Sequence, residues 1–262
     1  MGCFPSKAHE RSAATWKATG TISLRDAKLK ELPASIEGVG KAALVLDASN
    51  NRLAALPPAL ASLTGLARLI LPHNALRALP PQLTALSNLK VLVLDYNKLS
   101  ALEGVCALPR LEKVSATHNA LAALPAGVGR LKRLRELNVA SNQLTALPDG
   151  LGACESLELV DAADNRISVL PEALGSLRRL KVLALDQNSI ATVPPALLLG
   201  CERLQTLSLH ENPITIEALA QTKGYECVEA RRRMKHDKQI AAGVLMPSAG
   251  MDEGVDRRVA AR

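Results

Sequence analysis

The chain has 262 residues and a formal net charge of +7, and aromatic side chains make up only 2% of it. Residues 1–30 carry a net charge of +4 and residues 223–262 a net charge of +3, so the long segment between them is neutral. Nucleic-acid-binding domains usually combine a basic stripe on the folded surface with stacking aromatic residues. The composition therefore argues against a nucleic-acid partner.

The N-terminus reads Met-Gly-Cys-Phe-Pro-Ser-Lys, which fits the pattern for myristoylation of Gly2. A single myristoyl chain binds a membrane only marginally, and palmitoylation of Cys3 would supply the second signal that stable anchoring needs. Nearby basic residues add attraction to anionic lipids: these are Lys7, Arg11 and Lys17. We expect residues 1–20 to form an acylated basic tether on the cytosolic face of a membrane, and the plasma membrane is the expected one.

From residue 21 onward the sequence is repetitive. Eight asparagines recur at intervals of 22 to 24 residues, each within an L-x-x-L-x-L-x-x-N-x-L frame: Asn51, Asn74, Asn97, Asn119, Asn142, Asn165, Asn188 and Asn212. This period and frame indicate leucine-rich repeats. We expect an α/β fold in which residues 21–214 form a leucine-rich-repeat solenoid, with an N-terminal half-repeat as a cap before eight repeats. A curved parallel sheet would line the concave side, and short helical, 3-10 and extended segments would line the convex side.

The period ends after Asn212-Pro213. Residues 215–223 and 225–240 have the pattern of two helices, which predicts a C-terminal helical cap over residues 215–240. The small and mixed residues of 241–262 predict a disordered tail. A basic run within the cap is either a solvated helix face or a second electrostatic contact with a membrane or partner: Arg231, Arg232 and Arg233.

The cysteines and histidines do not indicate a reactive site. Cys154 and Cys201 lie eleven residues before the asparagine of their repeat, where we expect buried thiols that pack as small apolar groups. No paired Cys or Cys/His spacing is present, so the sequence predicts neither a metal nor a cofactor. No Ser/His/Asp order, phosphate-binding glycine loop or metal-ligand cluster accompanies the histidines in the sequence. We therefore expect no enzyme activity and no small-molecule substrate. The absence of a secretory signal and of cysteine clusters predicts a reducing, cytosolic location.

Particular motifs resemble those of known families. The Leu-Pro pairs, as at Leu79-Pro80, resemble the intracellular scribble- and Ras-group-related class of leucine-rich-repeat proteins. The chain ends resemble a small family of plant and algal leucine-rich-repeat proteins in four segments: the Met-Gly start, residues 19–30, Asn212-Pro213-Ile214, and residues 224–240. This resemblance implies a cytosolic, membrane-associated binding protein without catalytic residues.

Two zones on the predicted concave face are candidate binding sites. An apolar patch with an adjacent histidine lies in the early repeats: Ile70, Val91, Val93, Tyr96 and His118. Apolar side chains on a solvated face often mark interaction sites, and tyrosine often anchors interfaces. An acidic zone lies in the later repeats: Asp161, Asp164, Asp186 and Glu211. These acids either attract a basic partner segment or only solubilise the sheet.

The function predicted from these features is a non-catalytic adaptor or scaffold. The N-terminal lipids would hold it on a membrane, and the concave face would bind a protein partner. The alternative is a soluble regulatory subunit that modulates a small GTPase or phosphatase. That alternative depends on analogy of fold alone.

Overall fold

The computed structural model describes residues 7–241 together with Gly254 and Val255. The chain forms two compact units, one ending at Leu121 and the other beginning at Ala122. Five three-residue strands are described in the first unit: β1 (Thr21–Ser23), β2 (Val45–Asp47), β3 (Arg68–Ile70), β4 (Val91–Val93) and β5 (Lys113–Ser115). Four are described in the second unit: β6 (Glu136–Asn138), β7 (Leu159–Asp161), β8 (Val182–Ala184) and β9 (Thr206–Ser208).

Within each unit the strands pair in parallel and in chain order, one strand from each repeat. The central residue of each strand is apolar and packs into the core, and it lies in register with its equivalent on the next strand. In the first unit Leu46 pairs with Leu69, and Leu69 pairs with Leu92. Because alternate side chains of a strand point to opposite faces, the first and third residues lie on the other side, which we call the sheet face.

The segments that return from each strand to the next are mostly short 3-10 helices. They span Ala34–Ile36, Gly40–Ala42, Pro58–Ser62, Pro81–Ala85, Val105–Ala107, Ala126–Arg130, Asp149–Ala153 and Glu172–Ser176. Most are preceded by an extended proline, such as Pro80, whose missing N–H removes it from the strand ladder. The leucine-rich-repeat fold class predicted from the asparagine period is confirmed.

Helix α1 (Lys7–Thr19) lies where the sequence analysis placed a tether, so that prediction is wrong for these residues. Trp16 is 8% exposed, and the helix packs against β1 and the two 3-10 segments that follow it. The Gly20 N–H donates to the Trp16 carbonyl at 2.8 Å, and Gly20 has a φ of 69°, which ends the helix with a left-handed glycine cap. Ala-rich composition favours the helix, and burial of Trp16 fixes it on the first repeat.

The second unit has three α-helices in its described part, besides its 3-10 segments. Helix α2 (Pro195–Gly200) replaces a 3-10 segment, and α3 (Ile216–Ala220) and α4 (Tyr225–Ala241) follow the last strand. The Thr215 hydroxyl accepts from the Ala218 N–H at 3.2 Å and caps α3. Gly254 and Val255, which fall in the predicted disordered tail, are instead buried in this unit. None of the helices in residues 7–241 combines the length and apolar character needed to cross a bilayer.

Candidate protein-binding surface

The asparagine of each repeat holds the strand end that presents the candidate site. Asn97 is 8% exposed, and its Oδ1 accepts from the Leu76 N–H at 3.0 Å. Its Nδ2 donates to the Leu94 carbonyl of its own repeat at 2.9 Å and to the Leu71 carbonyl of the preceding one at 3.0 Å. Buried backbone groups require such partners. The asparagine therefore joins two successive coils at the point where the chain leaves the strand.

The residue before each asparagine has a left-handed backbone conformation. Its φ lies between 51° and 55° at eight positions: Asn50, His73, Tyr96, His118, Ser141, Asp164, Gln187 and Glu211. None of these is glycine, although residues with a Cβ rarely adopt this region. All except Ser141 are exposed. The turn thus presents one solvated side chain per repeat along the margin of the sheet face.

Three of these side chains form an aromatic stack in the first unit. The rings of His73 and Tyr96 lie 4.3 Å apart at an interplanar angle of 11°, and those of Tyr96 and His118 lie 4.2 Å apart at 15°. The spacing matches the distance between neighbouring strands, because the three residues occupy equivalent positions in successive repeats. Tyr96 remains 46% exposed. We call these three residues the aromatic stack.

The predicted apolar patch lies beside the aromatic stack. Ile70 and Val93 are in register on β3 and β4, and Val91 is on the same strand face; all three are half-buried. Arg68 is exposed and lies in register with Val91. The structure therefore brings the predicted residues Ile70, Val91, Val93, Tyr96 and His118 together in one unit. The predicted patch did not include His73 or Arg68, although His73 precedes Asn74 as Tyr96 precedes Asn97.

Asp95 supports the position of the aromatic stack. Its Oδ1 accepts from the Ser115 hydroxyl at 2.6 Å, the Thr117 N–H at 2.8 Å and the Thr117 hydroxyl at 2.9 Å. These bonds tie the turn that carries Tyr96 to the turn that carries His118. The carboxylate accordingly has a structural role within the surface.

The acidic residues of the second unit have unequal roles. Asp186 is half-buried, and its Oδ1 accepts from the Ser208 hydroxyl at 2.6 Å and the His210 N–H at 2.8 Å, as Asp95 does in the first unit. Asp161 accepts from the Ala163 N–H at 3.2 Å, and Glu211 accepts from Gln187 at 3.1 Å. Asp164 is exposed. Most carboxylates of the acidic zone therefore accept hydrogen bonds from the chain itself. Asp186, which was predicted to contact a partner, instead links β8 to β9 and the residue pair that follows it.

Two half-buried apolar residues on the same sheet face were missed. Leu159 and Val182 lie in register at the start of β7 and β8, beside Asp161. They lie six residues before the asparagine of their repeats. Val91 has the same position in its repeat and was the one residue of this kind predicted to be part of a binding site.

The basic run in α4 is used to attach the helix. Arg231 donates to the carbonyls of Cys201 at 2.7 Å, Leu198 at 3.2 Å and Cys227 at 2.9 Å. Arg232 is 8% exposed and donates to the Leu207 carbonyl, and Arg233 pairs with Glu229. The expectation of a membrane contact is wrong for Arg231 and Arg232, because their guanidinium groups donate to backbone carbonyls within the second unit and attach α4 to it.

The remaining predicted sites fall at the N-terminus or in the core. Gly2 and Cys3 lie outside the described residues, and Lys7, Arg11 and Lys17 fall on α1, with Lys17 exposed in its last turn. Cys154 and Cys201 are buried as expected, and their thiols donate to the carbonyls of Val128 and Leu174. Burial raises the pKa of the Cys201 thiol to about 11.

A family model described as leucine rich repeat matches residues 64–121 and 156–214. The structure resembles a leucine-rich-repeat protein of Leptospira interrogans, with a TM-score of 0.53 and 23% identity over 77% of this chain and 70% of that one. The fold is that of leucine-rich repeats. It also resembles the Arabidopsis receptor kinase HAESA, solved in complex with the peptide hormone IDA and the co-receptor SERK1. The TM-score is 0.60, with 25% identity over 71% of this chain and 32% of that one.

One curated relative is the plant intracellular Ras-group-related LRR protein 7 of Oryza sativa subsp. japonica. It is 50% identical to this chain over 60 residues, which is 23% of each protein. A second, the related protein 8 of the same organism, is 48% identical over 56 residues, or 21% of this chain and 15% of the relative. The matched stretch thus spans less than a quarter of either curated relative.

Proposed function

We propose that this leucine-rich-repeat protein is an adaptor that binds a protein partner through the aromatic stack and the apolar patch of its first unit. The observation that supports this proposal most strongly is the stack of His73, Tyr96 and His118, which keeps a tyrosine 46% exposed in a fixed orientation. Preorganised aromatic side chains are frequent anchors of protein interfaces because little side-chain entropy is lost on binding.

The surroundings of the aromatic stack indicate the chemistry of the partner. Ile70, Val91 and Val93 offer half-buried apolar area, and the exposed Arg68 adds a cation in register with Val91. A partner segment with an apolar or aromatic side chain next to a carboxylate would fit this combination. Such a segment would cover the apolar patch and pair its carboxylate with the guanidinium.

Proximity labelling with three versions of the full chain tests the binding surface. Wild type and Val169→Ala should label the same proteins, because Val169 is 67% exposed but belongs to the second unit and is not part of the aromatic stack. Tyr96→Ala should lose one or more of those proteins. An identical set of labelled proteins in all three versions would reject the surface.

We further propose that acylation of Gly2 and Cys3 holds the adaptor on the cytosolic face of a membrane, because the Met-Gly-Cys start fits the acylation pattern. Gly2→Ala should move the protein into the soluble fraction, and intact mass measurement of the wild type should show an added acyl mass. Cys3→Ser, with Gly2 retained, should give weaker and reversible membrane binding. Wild-type protein without an acyl mass would instead favour a soluble regulatory subunit of a signalling enzyme.

A further inference from the structure

The outer edge of β9 is occupied by a segment of the C-terminal tail. Inside each unit, the N–H that follows a strand donates to the carbonyl of the third residue of the next strand. Examples in the second unit are Ala162 to Ala184 at 2.9 Å and Leu185 to Ser208 at 2.9 Å. After β9 the same bond runs from the Leu209 N–H to the Gly254 carbonyl at 2.7 Å. The Gly254 carbonyl therefore takes the place of the carbonyl that a further strand would supply.

The contacts of Gly254 restrict this position to glycine. Its φ is +74°, and a Cβ added to it would lie 2.2 Å from the Leu207 carbonyl oxygen and 2.8 Å from Nη2 of Arg232. Real Cβ atoms do not approach a backbone oxygen so closely, and residues with a Cβ rarely adopt this backbone conformation. Val255 follows and is only 4% exposed. The site is thus matched to a glycine followed by a small apolar side chain.

The base of the site is cationic. Arg232 is buried and donates to the Leu207 carbonyl of β9 at 3.3 Å, and Lys235 donates to the Thr206 hydroxyl at 2.9 Å. In sequence, Asp252 and Glu253 precede Gly254, and Asp256, Arg257 and Arg258 follow Val255.

We propose that the β9 edge is a docking site for a Gly-Val segment, and that residues 254–255 of the tail are its resident and releasable occupant. Only residues 242–253 separate this segment from the end of α4 at Ala241. Because the site and its occupant belong to one chain, binding is intramolecular and a weak contact keeps the site filled. The resident segment covers strand groups that would otherwise pair with another chain, and its release would open the edge to strand addition.

Amide hydrogen exchange at Leu209 tests this proposal in the full chain. Gly254→Ala should raise the exchange rate of the Leu209 amide about tenfold or more, because the substitution expels the acceptor of its hydrogen bond. Gly40→Ala is the matched control: Gly40 also has a positive φ, +54°, but nothing lies within 4 Å of an added Cβ. It should leave Leu209 exchange unchanged. Thermal unfolding would verify that both variants fold.

A peptide supplied in trans completes the test. A synthetic peptide of residues 250–258, added to Gly254→Ala protein at about 1 mM, should restore the slow exchange of Leu209. The same peptide with alanine at position 254 should not restore it. Unchanged Leu209 exchange in Gly254→Ala would overturn the proposal, and so would failure of the glycine-containing peptide to slow exchange.

Discussion

The side chain of Asn97 serves backbone groups of two successive coils from a position that is 8% exposed. Replacing it with alanine would leave the Leu76 N–H and the carbonyls of Leu71 and Leu94 without this partner. Each buried polar group that loses its hydrogen bond costs about 1–3 kcal/mol. The same geometry recurs at Asn74, Asn165 and Asn188, so each of these asparagines joins two successive coils in the same way.

We therefore expect Asn97→Ala to lower the free energy of unfolding by about 3 kcal/mol, measured from urea denaturation followed by circular dichroism. Asn88→Ala is a suitable control, because Asn88 lies on the return segment of the same repeat and makes its hydrogen bonds at the exposed surface. It should cost less than about 1 kcal/mol. Equal effects of the two substitutions would show that the asparagine ladder is not a special source of stability.

The buried thiol of Cys201 should make stability depend on alkaline pH. Its pKa is raised from 9.0 to about 11, so the folded state binds the proton more tightly than the unfolded state does. The stabilisation is complete below pH 9 and is lost as pH rises from 9 to 11, by up to about 3 kcal/mol. Comparing wild type with Cys201→Ala over pH 8–11 isolates this contribution. The stability difference between them should shrink in this interval, and a constant difference would contradict the assignment.

At the scale of elements, α1 protects the open end of the first repeat. Trp16 is the single tryptophan of the chain and is 8% exposed against that repeat. Terminal repeats of a solenoid lack a neighbour on one side and need a cap with a polar outer surface. The exposed residues of α1 that surround Trp16 provide such a surface, among them Thr15 and Lys17.

Trp16→Ala should consequently destabilise the chain by about 3 kcal/mol, the usual cost of removing a large buried aromatic side chain. Lys17→Ala, at the neighbouring exposed position, should change stability by less than about 0.5 kcal/mol. Urea unfolding monitored by circular dichroism measures both without depending on tryptophan fluorescence. If Trp16→Ala left the unfolding midpoint unchanged, α1 would not be a docked cap.

The elements that the sequence predicts well are those set by local, repeated patterns. The asparagine period predicts the parallel strands, and the Leu-Pro pairs predict the short return segments, because each depends on residues within one repeat. The helix α1 was missed because its fixation depends on one side chain, Trp16, finding the uncovered end of the first repeat. Gly254 was missed for a similar reason: its place against β9 is set by residues far away in the sequence.

The candidate site was only partly predictable for a related reason. The pattern within one repeat predicts which strand-face residues are exposed, but the role of a carboxylate depends on the next repeat. Asp95 and Asp186 are each followed by a serine on the neighbouring strand, Ser115 and Ser208, that donates to them. Asp47 is the third residue of β2, a position on the sheet face that is expected to be exposed. It instead pairs with Arg25 at 2.7 Å and is 8% exposed. Comparing neighbouring repeats position by position would have revealed these pairs.

At the scale of the whole molecule, the charge distribution and the binding surface are separate features. The excess positive charge lies toward the two ends of the sequence. At the C-terminal end, however, Arg231 and Arg232 donate hydrogen bonds to backbone carbonyls and attach α4. The membrane proposal therefore depends on the N-terminal acylation pattern and not on the C-terminal basic run. The binding proposal depends on the first unit, where repetition of the left-handed turn places His73, Tyr96 and His118 in one stack.

The affinity of a labelled partner for Tyr96→Ala and Val169→Ala proteins, measured by calorimetry, tests the central claim most directly. Tyr96→Ala should weaken binding by about 30-fold, or about 2 kcal/mol, because it removes the central ring of the aromatic stack. Val169→Ala should bind as wild type does, since it truncates an equally apolar exposed side chain elsewhere. Wild-type affinity in the Tyr96→Ala protein would contradict the assignment of this surface as the binding site.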